Sequence, residues 1–110
     1  MNAYVCDNLQ YSRPLEDLPV YIVYVHKLDK AWYMGSMMHI PRGKAKREPI
    51  EAIVEAGGPL VIPEIVLVEG GIGFIDGRHR FSVIRDIGKR FTLVMCKSEL
   101  EYDWAKKIAP

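Results

Sequence analysis

The chain has almost no net charge. Its 110 residues carry 15 Lys and Arg against 14 Asp and Glu, a balance of +1. No global field therefore draws it to nucleic acid or to an anionic membrane surface, and any such binding has to come from a local patch. Apolar runs are short. None approaches the roughly 20 residues needed to cross a bilayer, so no membrane partner is expected. Cysteine is scarce: Cys6 and Cys96 are the two present, with neither a C-x-x-C pair nor a metal-type spacing. That leaves two buried free thiols in a reducing cytosol as the reading. The first residues, M-N-A-Y-V-C-D-N, lack a basic segment followed by an apolar one. No signal peptide is expected, and the location is read as cytoplasmic. Internal repeats and low-complexity segments are absent. The length fits one domain, 1–110, with a single core that folds without staples.

What is present centres on Ile72 to Lys89, I-G-F-I-D-G-R-H-R-F-S-V-I-R-D-I-G-K. Gly73-Phe74-Ile75 is β-favouring, and Asp76-Gly77 breaks it. Phe81, Ile84 and Ile87 recur every three residues, giving a following helix one apolar face. Gly88 closes that helix as a C-terminal cap. A strand fed through a glycine turn into a helix leaves backbone N–H groups unpaired at the helix start. Arg78, His79 and Arg80 stand at the same point. Unpaired donors plus cations suit a phosphate or another anion.

The segment resembles the signature of the ParB/sulfiredoxin superfamily: a strand, a D/G-G-x-H/R-R loop, then an R-x-x-A-x-x-x-x-G helix. The matching residues are Asp76, Gly77, His79, Arg80, Arg85 and Gly88. Pro49–Ala56 is similar to the family's preceding helix, and Pro63–Val68 to its P-I-x-V strand, so the likeness covers about half the chain, Arg47 to Cys96. It implies a sulfiredoxin-like fold and a nucleotide ligand, with ATP or CTP as candidates and a magnesium ion as companion. Arg78 stands where sulfiredoxins carry their catalytic cysteine, which argues against a sulfinic acid reductase. Chromosome-partitioning ParB proteins add a helix-turn-helix region and a dimerisation domain. The stretch after the motif helix is too short for either, so a clamp on a specific DNA site is not expected. Free serine kinases of the superfamily carry D-G-H-H-R, one position away from D-G-R-H-R here. ParB-like nucleases share thinner motifs, and no metal cluster here supports metal-dependent hydrolysis.

Along the rest of the chain, Met1 to Pro19 reads as turn material at Asp7-Asn8, Ser12-Arg13-Pro14 and Leu18-Pro19. Val20–Val25 is β-branched or aromatic on both faces, which predicts an interior strand. Asp29–Met34 reads as helical turns or a hairpin arm. Trp32, Tyr33, Met34, Met37 and Met38 form a cluster read as core packing or as an exposed partner patch. Arg42-Gly43-Lys44-Ala45-Lys46-Arg47 is a basic loop. It is either a solvated surface segment or a second phosphate or nucleic-acid contact through Arg42, Lys44, Lys46 and Arg47. Glu48-Pro49 is the expected start of a helix with Ile50, Ile53 and Val54 inward, ended by Gly57-Gly58. Leu60–Val68 predicts a strand with a bulge, an edge or a fresh start at Pro63. Glu69-Gly70-Gly71 turns it into a hairpin with the strand that begins at Ile72. Phe91–Cys96 is a further strand. Ser98 with Glu101 reads as a capping box opening a last helix, with Leu100, Trp104 and Ile108 inward. The sum is a single α+β (mixed α/β) domain with a small mixed sheet flanked by helices.

The expected site is a phosphate cradle of Gly77, Arg78, His79 and Arg80. Asp76 and His79 are the catalytic candidates for nucleotide hydrolysis or phosphotransfer. Asp76 can also orient His79 or hold magnesium, or it can be a plain turn residue. Arg80 is expected to face the ligand, and Arg78 to matter less. Three classes of function stand open: a nucleotide or phosphorylated-ligand domain, a small nucleic-acid-associated protein of phage or plasmid type, and an inactive-fold module for a protein partner. None of them uses a thiol. Replacing Cys6 and Cys96 together by serine is expected to leave ligand binding intact; loss of binding in a folded double variant would bring a thiol mechanism back.

Overall fold

A computed structural model describes residues 3–13, 18–35 and 44–110. In chain order it contains β1 (Ala3–Cys6), β2 (Leu9–Ser12), β3 (Val20–Tyr24), α1 (Val25–Gly35), α2 (Lys44–Glu55), β4 (Leu60–Val61), β5 (Glu64–Val68), β6 (Gly71–Asp76), α3 (Arg78–Asp86), β7 (Phe91–Cys96) and α4 (Glu99–Lys107). The strands form a sheet ordered β1-β2-β4 and a mixed sheet ordered β3-β7-β5-β6. In the second, β7 runs antiparallel to β3 and parallel to β5, and β5 and β6 form the hairpin that Glu69-Gly70 closes, with Val68 opposite Gly71. The architecture is α+β, as expected.

The strand–turn–helix segment forms where its pattern places it. Phe81, Val83 and Ile84 are fully buried. Phe81 joins Trp32 of α1 and Phe74 of β6 in a three-ring cluster, with centroids 5.7 Å and 5.2 Å from Phe81 and 5.0 Å between Trp32 and Phe74. Ile87 departs from expectation. The helix stops at Asp86, and Ile87, 44% exposed, caps it rather than joining the core. Gly88 (φ 85) takes the left-handed conformation of the cap. The Lys89 N–H donates to the Ile84 carbonyl at 3.3 Å and the Gly88 N–H to the Arg85 carbonyl at 3.1 Å, the paired bonds of a Schellman ending. The same pair of bonds, Gly58 to Ile53 and Gly57 to Val54, ends α2.

Other elements correct the reading. The N-terminal stretch is more than turns: Asp7 and Asn8 do turn, at φ 50 and 61, but they join two paired strands. Leu9 and Tyr11 face inward, and the Tyr11 hydroxyl meets that of Thr92 on β7 at 3.1 Å, linking the two sheets. The turn expected at Pro14 lies outside the described residues. β3 is an edge strand, not an interior one. Its apolar side chains find cover on both faces: Tyr21 packs on Tyr102 of α4 at 4.6 Å and Tyr24 on its cross-strand partner Phe91 of β7 at 5.0 Å, while Ile22 stays 46% exposed. α2 begins at Lys44, so Lys44–Arg47 is helical and Pro49 lies inside the helix. Pro63 separates β4 from β5 and sends them into different sheets.

α1 resolves the aromatic–thioether cluster into two parts. Trp32 is core at 1% exposure, whereas Tyr33 and Met34 are exposed; Met37 and Met38 lie outside the described residues. In α4 the inward residues are Glu101 and Ala105, with Trp104 and Ile108 partly buried, and Leu100 is exposed. The capping box does not form. The Ser98 hydroxyl donates to the Glu101 carboxylate, whose other oxygen accepts from the Leu67 N–H at 3.3 Å. Cys6 and Cys96 are free and buried. Burial pushes the Cys96 thiol up to about 12, with Glu101 and Glu64 adding to it. Among the described residues no helix is long and apolar enough to cross a membrane.

Truncating Phe81 or Ile84 to alanine is expected to cost roughly 2–5 kcal/mol in denaturant unfolding, by lost burial plus a cavity. Ile87→Ala, at an exposed cap, is expected to fall within about 0.5 kcal/mol.

Candidate functional site: the groove at the start of α3

Gly77 makes the site. Its φ of 95 is left-handed, and a Cβ there would lie 2.9 Å from the Cα and Cβ of Pro63 and 3.0 Å from an Arg80 terminal nitrogen. A side chain is therefore excluded by conformation and by space. The turn delivers β6 directly into α3. The first helical bond is Phe81 N–H to the Gly77 carbonyl at 2.8 Å, so the N–H groups of Arg78, His79 and Arg80 have no intrahelical acceptor. No side chain caps this end.

These donors border a groove of about 550 Å³ lined by Asp76, Gly77, Arg78, His79 and Arg80, by Lys46 and Ile50 of α2, and by Val61, Phe74 and Ile75. All of 76–80 thus line the same groove. Of the basic segment, Lys46 reaches the groove. Arg47 does not: its guanidinium pairs with Asp86 at 2.9 Å and donates to the Ser82 hydroxyl at 3.3 Å. Lys44 opens α2, and Arg42 lies outside the described residues. The apolar side of the groove, Ile50, Val61, Phe74 and Ile75, went unread in the sequence. Its signal was the outward phase of the β6 alternation, where Ile75 is 56% exposed.

Both arginines line the groove, and they differ in their partners. Arg80 is the one held by a carboxylate, 2.6 Å from Asp76. Arg78 is exposed, with no ion-pair partner among the described residues. The i,i+4 spacing of Asp76 and Arg80 across the turn brings these two together. Asp76 consequently does not orient His79. The His79 Nδ1 is buried and has no hydrogen-bond partner, while the backbone carbonyl of His79 accepts from the Ser82 hydroxyl at 2.8 Å. Burial holds the His79 imidazole below its usual range, and Arg78, Lys46 and Arg47 push it the same way. Burial would raise the Asp86 carboxyl, but Arg85 and Arg47 outweigh it and hold Asp86 low.

Arg85 works inside the fold. It pairs with Asp29 of α1 at 3.0 Å and with Asp86 at 2.8 Å. An ion-pair chain Asp29–Arg85–Asp86–Arg47 therefore ties α1, α3 and α2 behind the groove.

In chemical terms the groove has anion donors at one end and apolar surface beside them. Among the described residues no three His, Cys, Asp or Glu side chains cluster as a metal site. Among the described residues Asp76 is the one carboxylate lining the groove, and Arg80 occupies one of its oxygens. A magnesium ion here would need oxygens from the phosphates of its own ligand.

Gly77→Ala is expected to destabilise by roughly 1–3 kcal/mol, the range for a non-glycine residue held in a strained backbone region, and to displace Arg80 from Asp76. Urea unfolding beside a fluorescence or NMR readout of the groove measures both; a variant as stable as wild type would show that the turn can relax without glycine.

Comparison with known proteins finds no counterpart: no family model, no curated protein and no solved structure matches this chain.

Proposed function

We propose that the groove binds the phosphate group of a small ligand, a nucleotide foremost, through the start of α3. One observation carries the reading. Three N–H groups without an intrahelical acceptor border a groove that Lys46, Arg78 and His79 also line, and among the described residues neither cation has an ion-pair partner and the buried His79 Nδ1 has no hydrogen-bond partner. Orphan donors at a helix start stabilise an anion through direct hydrogen bonds and the helix dipole. The likeness of Asp76, Gly77, His79, Arg80, Arg85 and Gly88 to the ParB/sulfiredoxin motif supports the same assignment. The apolar strip of Ile50, Val61, Phe74 and Ile75 suits the uncharged body of such a ligand.

Roles within the reading follow from the geometry. Arg78 and Lys46 contact the phosphate. Arg80, braced by Asp76, shapes the cradle. Of the two catalytic candidates, His79 keeps the chemistry to move a proton near neutral pH, so any hydrolysis or phosphotransfer would run through it.

A thermal-shift screen of nucleoside mono-, di- and triphosphates, with and without magnesium, tests the reading. A ligand at a hundredfold its dissociation constant raises stability by about 2.7 kcal/mol. Calorimetry then ranks variants: Arg78→Ala is expected to weaken binding by about tenfold or more, as for a lost charge-assisted hydrogen bond. Arg80→Ala is expected to weaken it through loss of the Asp76 brace. Equal affinity in wild type and Arg78→Ala, or no nucleotide bound at all, would overturn the assignment.

A further inference from the structure

The charges around His79 do not balance, and the imbalance has a definite size. On α2, Lys46 has no ion-pair partner among the described residues, while Arg47 is neutralised by Asp86. On α3, Arg78 is likewise unpaired. At the end of β6, Asp76 and Arg80 neutralise each other. Lys46 and Arg78 thus remain as two uncompensated positive charges beside the three free N–H groups of the helix start. A buried Nδ1 with no acceptor cannot take a proton cheaply in that setting, because the added charge would be both unpaired and repelled. The imidazole of the empty groove is accordingly neutral, in keeping with its depressed basicity.

An anion changes each of these terms. It offsets Lys46 and Arg78 and supplies the negative field that an imidazolium lining the same groove needs. Resting on the phosphate-site reading above, we infer that the groove takes up its anion together with one proton on His79, and so selects a doubly charged phosphate or sulfate group over a singly charged phosphodiester. The proton comes from solvent and stays on the imidazole; no bond to the anion forms. A dianion matches the two open cations and still favours the third charge. A diester matches one cation and leaves the other to oppose protonation. The favoured ligand class is therefore a terminal phosphate group, not a phosphate within a polynucleotide backbone.

Linkage fixes the sign. With the His79 pKa lowered in the empty groove and raised in the filled one, affinity increases as pH falls between the two values, by at most about tenfold per pH unit for one proton. Sulfate is the probe for this arm, because it does not itself titrate near neutrality. Isothermal calorimetry of sulfate at neutral pH, in buffers of different ionisation enthalpy, is expected to show uptake approaching about one proton per site. Phenyl phosphate against methyl phenyl phosphate tests the charge selection, and the diester is expected to bind about tenfold more weakly or worse. His79→Gln is expected to bind sulfate without proton uptake. Should that variant not fold, the imidazole resonance of His79 in wild type is expected to shift to higher pKa on adding sulfate.

Failure of both sulfate and phenyl phosphate to bind would overturn the phosphate-site reading itself, and this inference with it. Binding without proton uptake, uptake that persists in a folded His79→Gln, an unmoved His79 resonance, or equal affinity for monoester and diester would each overturn this inference and leave that reading standing.

Discussion

The contact between Gly77 and Pro63 is the constraint on which the arrangement turns. Pro63 ends the short strand of the first sheet and lets the chain restart in the second, and its carbonyl accepts from Met95 at 2.8 Å. Gly77 lies directly against its Cα and Cβ. One close approach therefore sets the junction of the two sheets, the direction in which α3 leaves β6, and the position of the free N–H groups. The ring cluster of Trp32, Phe74 and Phe81 then holds the two arms of the turn from the other side. Fixed backbone donors give an anion site its strength because little reorganisation is needed when the ligand arrives.

Behind the groove the electrostatics are those of an assembled fold. Asp29, Arg85, Asp86 and Arg47 alternate in sign across three helices. Half-exposed pairs of this kind contribute little each. As a connected chain they fix where α2 stands, and hence where Lys46 meets the groove. Arg85 and Gly88 secure the helix: one pairs with its neighbours, the other ends it.

Local pattern made much of this legible. The spacing of Phe81 and Ile84, the break at Asp76-Gly77, the glycine endings of α2 and α3, and the β5–β6 hairpin depend on residues close in sequence, where period and turn chemistry speak directly. What escaped was decided at a distance. β3 reads as interior because Tyr21 and Tyr24 are apolar enough for burial, but Tyr21 is covered by Tyr102 of α4 and Tyr24 by Phe91 of the one strand that β3 pairs with among the described residues. The N-terminal hairpin has strands of four residues each, too short for alternation to register. The start of α2 was displaced by a rule favouring proline in the first turn, while the chain carries Pro49 further in. In the site, composition named the residues but not their pairing. Which arginine Asp76 takes depends on the turn angle at Gly77, and no residue count supplies that.

The helix α1 lies on β6 closely enough to touch it through backbone alone. A Cβ on Gly71 would fall 2.2 Å from the Ala31 carbonyl oxygen, and one on Gly35 would fall 2.5 Å from the Ile72 nitrogen. Both positions are barred to every side chain, although neither borders the groove. A substitution map of this protein would thus contain two kinds of intolerant glycine, alike in severity and different in cause. Intolerance at Gly77 reports a left-handed turn pressed against Pro63 at the start of α3. Intolerance at Gly35 and Gly71 measures only how near a helix has been brought to a strand.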